Sequence, residues 1–258
     1  MRVALAKMAA PVLLNPRDPN PVRTILPSRA DSPFVLIGDH AGSAIPHALG
    51  DLGLSAADRC RHIAVDIGSR ALGDELSRRL GAPFVSQVYS RLVIDCNRDP
   101  SHPGSIVSVS DGTSIPGNAG LSAEAREERR AEILEPYQSA IAAILSEQAD
   151  PILLSVHSFT PVMQGRARPW DIGILHDGHR DDFALKVLRA LQSNGDLTVG
   201  DNEPYRLDRT DYTVPLHAFA RGLRYAELEI RQDRLSDASG VAAIADALIA
   251  AIGAAIER

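Results

Sequence analysis

Short runs of consecutive apolar residues alternate along the chain with segments whose apolar positions recur every three or four residues. Runs of the first kind are typical of buried strands, and segments of the second kind are typical of amphipathic helices. The pattern predicts strands at 34–37, 82–88, 92–98, 151–157, 171–176 and 223–230. It predicts helices at 67–80, 122–148, 181–193 and 238–257, with a bend or restart of the second near Pro136.

The alternation of strands and helices predicts one α/β domain over residues 34–258, built on a mostly parallel or mixed sheet. Residues 1–33 precede it, and the six prolines within 11–33 predict an extended arm that runs over the surface. Residues 99–120 are rich in proline and glycine and show no helical period. A loop of this length inside a domain often covers a substrate, and we predict that role here.

Composition narrows the function classes. The 258 residues carry a formal net charge of −6 and only 4% aromatic residues, so neither a basic face for phosphate backbones nor a base-stacking platform is expected. No run approaches the roughly 18 consecutive apolar residues of a membrane-spanning helix. We therefore expect a cytoplasmic enzyme that acts on a small molecule and binds neither nucleic acid nor membrane; nothing in the sequence specifies an oligomeric state.

Polar residues follow two of the predicted strands at their carboxyl ends, where open α/β sheets bind ligands. His40 follows the strand at 34–37, and His157 ends the strand at 151–157. Asp66 directly precedes a predicted helix. Two imidazoles, a carboxylate and an open position would suit Zn²⁺, and two cysteines are too few for a thiolate-rich zinc site. The simpler alternatives are buried histidines bonded to the backbone and an Asp66 that caps the helix.

Further candidates lie near the ends of two other strands. The strand at 92–98 delivers Asp95, Asn97 and Arg98, and the last strand carries Glu227, Glu229 and Arg231 at alternate positions on one face. A carboxylate there could act as a general base, and a guanidinium could bind an anionic substrate. His217 and Arg231 are further candidates for contacting that substrate. The sequence contains no G-x-S-x-G, Walker A or H-E-x-x-H motif.

Five short motifs, taken in chain order, resemble those of the N-formylglutamate amidohydrolases. The most specific is the run Tyr-Ser-Arg-Leu-Val-Ile-Asp-Cys-Asn-Arg, and the resemblance spans about residues 34–235. The family's usual Pro-His-Ala-Gly is represented here by Asp-His-Ala-Gly. The motifs are Gly38–Gly42, Val65–Gly68, Tyr89–Arg98, Ser155–Ser158 and Glu227–Arg231.

The resemblance implies a phosphorylase/hydrolase-like three-layer α/β/α sandwich, similar to zinc carboxypeptidases and aspartoacylases, with one Zn²⁺. It implies that the metal ligands are His40, Asp66 and His157. Glu229 matches a glutamate that activates water. The resemblance also implies that a substrate carboxylate is held by Asn97 and Arg98, with help from Arg91. Other divalent metals, such as Mn²⁺, Fe²⁺ or Co²⁺, would suit similar ligands.

The resulting hypothesis is a zinc-dependent amidohydrolase that cleaves the amide bond of a small anionic N-acyl amino acid, such as N-formylglutamate, with a metal-activated water. Two alternatives stay open at this point. The first is a zinc carboxypeptidase or deacylase that acts on a peptide or cell-wall fragment. The second is a metal-free binding domain that kept the fold.

Overall fold

A computed structural model of the chain describes residues 13–27 and 32–256. Parts of the predicted arm, and the last residue of the helix predicted at 238–257, lie outside the described residues. The strands are β1 (Val22–Ile25), β2 (Phe34–Gly38), β3 (Phe84–Gln87), β4 (Val109–Ser110), β5 (Thr113–Ser114), β6 (Ile152–Phe159), β7 (Val162–Met163), β8 (Arg166–Ala167), β9 (Ile172–Leu175), β10 (Val199–Asp201) and β11 (Arg224–Arg231). The α-helices are α1 (Ser69–Leu80), α2 (Ala123–Arg129), α3 (Glu135–Ser146), α4 (Asp182–Asn194), α5 (Thr213–His217) and α6 (Ala238–Ile256).

Seven of these strands form one mixed sheet in the order β1-β3-β2-β6-β11-β9-β10. The central pairs β3–β2, β2–β6 and β6–β11 are parallel, whereas β1 and β9 run antiparallel to their neighbours β3 and β11. From β2 the chain continues to β3, and from β6 it continues past the position of β11 to β9, so the two connections run in opposite directions along the sheet. The carboxyl ends of β2 and β6 therefore flank a topological switch point, where α/β sheets form ligand sites.

Helices cover both faces of the sheet. Residues at alternate positions of β2 divide between two clusters of buried side chains: Val35 and Ile37 pack in the cluster with α3, and Phe34 and Leu36 pack in the cluster with α1, α4 and α6. Every residue of β2 and β6 is buried, as expected of central strands in a sheet covered on both faces. The predicted three-layer α/β/α sandwich is confirmed.

The prediction of a strand at 92–98 is wrong. Residues 91–98 form turns joined by irregular backbone, although Leu92, Val93 and Ile94 are buried as their apolar character suggests. Polar side chains replace a neighbouring strand as hydrogen-bond partners: the Leu92 carbonyl accepts from Asn118 Nδ2, and the Val93 carbonyl accepts from Arg129 Nη1. A buried backbone needs partners but not necessarily another strand.

Part of the predicted arm joins the domain. Residues 22–25 form edge strand β1 of the main sheet, and Leu13 is buried in the cluster around α3. The backbone N–H groups of Leu13 and Leu14 donate to the Glu132 carboxylate. Glu132 lies in a π-helical turn, Arg130–Leu134, that joins α2 to α3. The long predicted helix is therefore continuous but irregular just before Pro136.

Helix α6 has the length and composition of a membrane-crossing helix, with a mean hydropathy of 2.0. Seven of its residues are buried, and it packs against α1 and α4 on the outer face of the sheet. One side of α6 therefore covers this face of the sheet.

Gly173 allows a loop that borders the candidate site to approach the sheet. A Cβ at Gly173 would lie 1.8 Å from the Glu203 carbonyl oxygen. We expect Gly173→Ala to displace this backbone and lower the free energy of unfolding by about 1–3 kcal/mol in a urea titration. Gly253→Ala in α6 is the control because its Cβ would meet no atom within 4 Å, and we expect it to stabilise the protein by up to about 1 kcal/mol. Equal stability of the two variants would contradict this account.

Candidate active site

A cavity of about 410 Å³ lies at the carboxyl ends of the central strands. Its lining includes side chains from three places: the segment that follows β2, the end of β6, and β11. The loop predicted to cover a substrate also contributes to its wall, through Gly104, Val107, Ser110 and Asp111. The cavity is therefore located where the strand topology predicts a ligand site.

His40, Asp66 and His157 converge at this cavity. One ligand atom from each lies within 4.8 Å of the others, and all three residues are buried. Asp66 Oδ2 is 2.9 Å from Nδ1 of His157 and 3.4 Å from Nδ1 of His40. The helix-cap alternative for Asp66 is wrong, because α1 begins at Ser69 and its N-cap is Gly68. The Asp66 carboxylate instead faces the two imidazoles.

A second carboxylate faces the far nitrogen of each imidazole. His40 Nε2 lies 2.7 Å from Asp95 Oδ1, and His157 Nε2 lies 3.3 Å from Asp39 Oδ2. A carboxylate on Nε2 favours a proton there, which would leave Nδ1 of each imidazole free to bind a cation that Asp66 also binds. A carboxylate on the far nitrogen of an imidazole is common among histidines that ligate metals.

The three residues fit a divalent cation. His40 Nδ1 is buried and has no hydrogen-bond partner among residues 13–27 and 32–256, as expected of an atom reserved for a ligand. Burial acts to raise the pKa of Asp66, but His40, His157 and Arg91 outweigh it and hold that pKa below its usual range. With a cation bound in place of the imidazole protons, two imidazole nitrogens and an ionised carboxylate would form a donor set that Zn²⁺ prefers.

Two further carboxyl groups, Glu227 and Glu229, line the same cavity from β11. Glu229 is paired in register with His157 on β6, so the two side chains share a face of the sheet. Burial raises the pKa of Glu229 to about 7, against the opposing influence of His157. Burial also raises the pKa of Glu227 well above its usual range. A carboxyl group that titrates near neutral pH can both accept and return a proton.

Comparison with known proteins identifies the family. The N-formylglutamate amidohydrolase family model matches residues 32–235, most of the chain. The chain belongs to this family. It is therefore an amidohydrolase by descent, and the resemblance found in its motifs is confirmed.

Two solved structures are similar to this member of the family. A gene product of Agrobacterium tumefaciens is 34% identical, with a TM-score of 0.90 over 95% of this chain and 98% of that chain. An N-formylglutamate amidohydrolase from Ralstonia eutropha is 22% identical, with a TM-score of 0.67 over 92% of this chain and 98% of that chain. The second likeness establishes the fold. A search of curated proteins finds no match.

The structure of this amidohydrolase brings Arg91, Asn97 and Arg98 to the cavity, with unequal freedom to bind a substrate. Arg91 forms ion pairs with Asp95 and Asp66. The Asn97 amide is occupied by the segment 211–213, since its Oδ1 accepts from two backbone N–H groups and its Nδ2 donates to Asp211. The hydrogen bonds of Arg98 to the described residues all run through Nη1. Its Nε and Nη2 stay available for a ligand.

His217 and Arg231, both predicted to contact substrate, do not line the cavity. His217 is buried behind it, with Nε2 2.7 Å from Gln138 Oε1, and burial lowers the pKa of His217 to about 4. Arg231 pairs with Asp171 and Asp233. Strand β11 ends at Arg231, so its side chain reaches the loop before β9 instead of the cavity.

Several residues that line the cavity were not predicted from the sequence. Tyr205 and Asp211 come from the irregular segment between β10 and α5, which has no periodic pattern to place them. The Arg168 guanidinium lies 4.7 Å from the centre of the Tyr205 ring and donates to its hydroxyl. His62 also lines the cavity. It lies four residues before Asp66, and this spacing was the one available signal.

Proposed function

We propose that this chain is a metal-dependent amidohydrolase that cleaves the amide bond of a small N-acyl amino acid, such as N-formylglutamate. The observation that carries the proposal is the convergence of His40, Asp66 and His157 beside Glu229 in one cavity. Membership of the N-formylglutamate amidohydrolase family supports an N-formyl substrate.

His40, Asp66 and His157 would hold Zn²⁺ or another divalent cation with similar ligand preferences. When bound, such a cation polarises an amide carbonyl and lowers the pKa of water. Asp95 and Asp39 favour the imidazole tautomers that this ligand set requires.

Glu229 is the proposed proton carrier. Its carboxylate takes a proton from the attacking water while the water oxygen bonds to the acyl carbon. It then gives that proton to the amine nitrogen as the carbon–nitrogen bond breaks, and the products are a carboxylic acid and a free amino acid. A pKa near 7 suits both halves of this exchange.

Arg98 is the proposed anchor for the substrate's α-carboxylate. Its Nη1 is held by the Thr210 carbonyl and Asp211, which orients the guanidinium without occupying its other nitrogens. Charge-assisted hydrogen bonds from a fixed guanidinium both bind a carboxylate and fix its orientation. This contact would place the amide bond beside Glu229.

Metal analysis combined with a substrate panel tests the proposal. The panel compares N-formylglutamate, its α-carboxamide, N-acetylglutamate and a dipeptide with a blocked N-terminus. We expect about one equivalent of divalent metal per chain. We expect cleavage of N-formylglutamate that a chelator abolishes and added Zn²⁺ restores.

Two results would contradict the proposal. Less than roughly a tenth of an equivalent of metal, with none taken up on addition, would favour a binding domain that kept the fold. Cleavage of the blocked dipeptide alone would favour a carboxypeptidase or peptide deacylase.

A further inference from the structure

The two candidate imidazole ligands are supported in different ways. His40 faces Asp95, which borders the cavity and also pairs with Arg91. His157 faces Asp39, which is 1% exposed and does not line the cavity. Asp39 Oδ2 and His157 Nε2 lie 3.3 Å apart, and neither atom has a hydrogen-bond partner elsewhere in the described part of the chain. The two atoms therefore depend on each other.

A chain of hydrogen bonds holds Asp39 from behind. Thr213 Oγ1 lies 2.6 Å from Asp39 Oδ1, and a carboxylate can only accept, so the hydroxyl donates. The same hydroxyl oxygen accepts from Gln138 Nε2 at 3.1 Å. Gln138 Oε1 in turn lies 2.7 Å from His217 Nε2. Donation thus runs in one direction, from His217 through Gln138 and Thr213 to Asp39.

This direction has a consequence for His157. The Thr213 hydroxyl holds one oxygen of Asp39, and the other oxygen lies 3.3 Å from His157 Nε2. A carboxylate at that position favours the tautomer with its proton on Nε2. Nδ1, 2.9 Å from Asp66 Oδ2, would then offer its lone pair to a cation that Asp66 also binds. His217 does not reach the cavity, but its contact with Gln138 is the first hydrogen bond of the chain that ends at Asp39.

We propose that Asp39 and Thr213 are positioning residues that orient His157 as a metal ligand. The inference rests on the proposed metal site. It goes beyond that site because it makes the metal affinity depend on the Thr213 hydroxyl, which contacts Asp39 and not the metal ligands themselves. The loss of such outer partners typically lowers metal affinity by about 10- to 100-fold.

The test measures Zn²⁺ affinity by competition with a chromogenic chelator at one fixed pH, together with the absorption spectrum of the Co²⁺-loaded protein. Thr213→Val removes the hydroxyl and nearly keeps the side-chain shape, whereas Thr213→Ser keeps the hydroxyl. We expect Asp39→Asn and Thr213→Val to weaken Zn²⁺ binding by at least roughly tenfold, and Thr213→Ser to restore most of the affinity. The Co²⁺ spectrum is expected to change in the first two variants only.

Ser77→Ala is the matched control, because it removes another buried hydroxyl, one that donates to the Ala82 carbonyl at the end of α1. We expect it to lower thermal stability without changing Zn²⁺ affinity. If Asp39→Asn does not fold, the comparison of Thr213→Val with Thr213→Ser decides the question.

The possible failures are distinguishable. A wild-type protein that binds no divalent metal overturns both the proposed function and this inference. A wild-type protein that binds metal, with Thr213→Val equal to it in affinity, overturns the inference alone. The inference is also overturned if Thr213→Ser is as weak as Thr213→Val, since the hydroxyl would then not be the group that matters.

Discussion

Replacing Glu229 with glutamine is expected to lower kcat by about 10²- to 10⁴-fold, the usual contribution of a general acid–base group. The amide has nearly the same size and fills the same buried position on β11, but it cannot take a proton from water. Zn²⁺ content and thermal stability should stay near those of the wild type, because Glu229 is not among the candidate ligands. Steady-state kinetics and metal analysis on the same preparation measure both quantities.

The pH profile provides a second measurement. The pKa of Glu229 is about 7, so its ionised form is lost as the pH falls through that value, and kcat/KM should fall with it. A bound divalent cation favours the ionised carboxylate and moves this fall to lower pH. The residual activity of Glu229→Gln should lack that acid limb.

Glu227→Gln is the matched control. Burial keeps the pKa of the Glu227 carboxyl high, so its neutral form already resembles an amide in charge. We expect its loss of activity to be clearly smaller. Near-full activity of Glu229→Gln on every N-acyl amino acid tested would refute the role assigned to this residue.

The positions of His40 and His157 at strand ends could be predicted because β2 and β6 begin with continuous apolar runs in the sequence. Strands β2 and β6 are buried along their whole length, so their apolar runs are visible in the sequence. A polar residue at the end of such a strand has few environments other than a site. Asp66 lies in an irregular segment and has no periodic signal, so its assignment as a candidate ligand depended on the family resemblance.

The segment at 92–98, which begins with the apolar run at 92–94, shows why apolar runs mislead. Leu92 and Val93 are buried as a strand would be, but their carbonyls accept from Asn118 and Arg129, which are 26 and 36 residues away along the chain. A local pattern contains no information on partners at that distance. Periodicity reports burial, and it assigns the backbone conformation only when the hydrogen-bond partners are also regular.

The segment before α5 was beyond prediction for a related reason. Asp211 reaches the cavity because Asn97, 114 residues earlier, donates to its carboxylate. Tyr205 reaches it from a loop whose Glu203 carbonyl packs on Gly173. Arg231 is the converse case: alternation assigned it to the face shared with Glu229, but Asp171 and Asp233 draw its side chain away where the strand ends.

Replacing Arg98 with methionine is expected to weaken the binding of substrates that carry a free α-carboxylate. Loss of one partner of a charged hydrogen-bonded contact removes about 2–4 kcal/mol. That loss corresponds to roughly a 30- to 1,000-fold rise in Kd, and in KM where KM reports binding. The matching α-carboxamide never made the charged contact, so its KM should change little. The measured quantity is the ratio of kcat/KM for the acid to that for the amide.

The contact between Arg98 and Asp211 requires a control. Asp211 is 11% exposed at its side chain and pairs with Arg98 Nη1 at 3.1 Å, so Arg98→Met leaves a largely buried carboxylate without its cation. That change lowers stability whatever Arg98 does for substrate. Adding Asp211→Asn to Arg98→Met should recover the stability and leave the lost preference for the acid unchanged.

Asp211→Asn alone separates the two roles of Arg98. It removes the internal carboxylate that shares the guanidinium and leaves the cation in place, so the preference for the acid over the amide should persist or increase. A preference lost in Asp211→Asn as fully as in Arg98→Met would mean that the turn at 211–213, and not the arginine charge, selects the substrate. The acid-to-amide ratio answers this question because loop stability affects both substrates equally, whereas a cation–carboxylate contact affects only one.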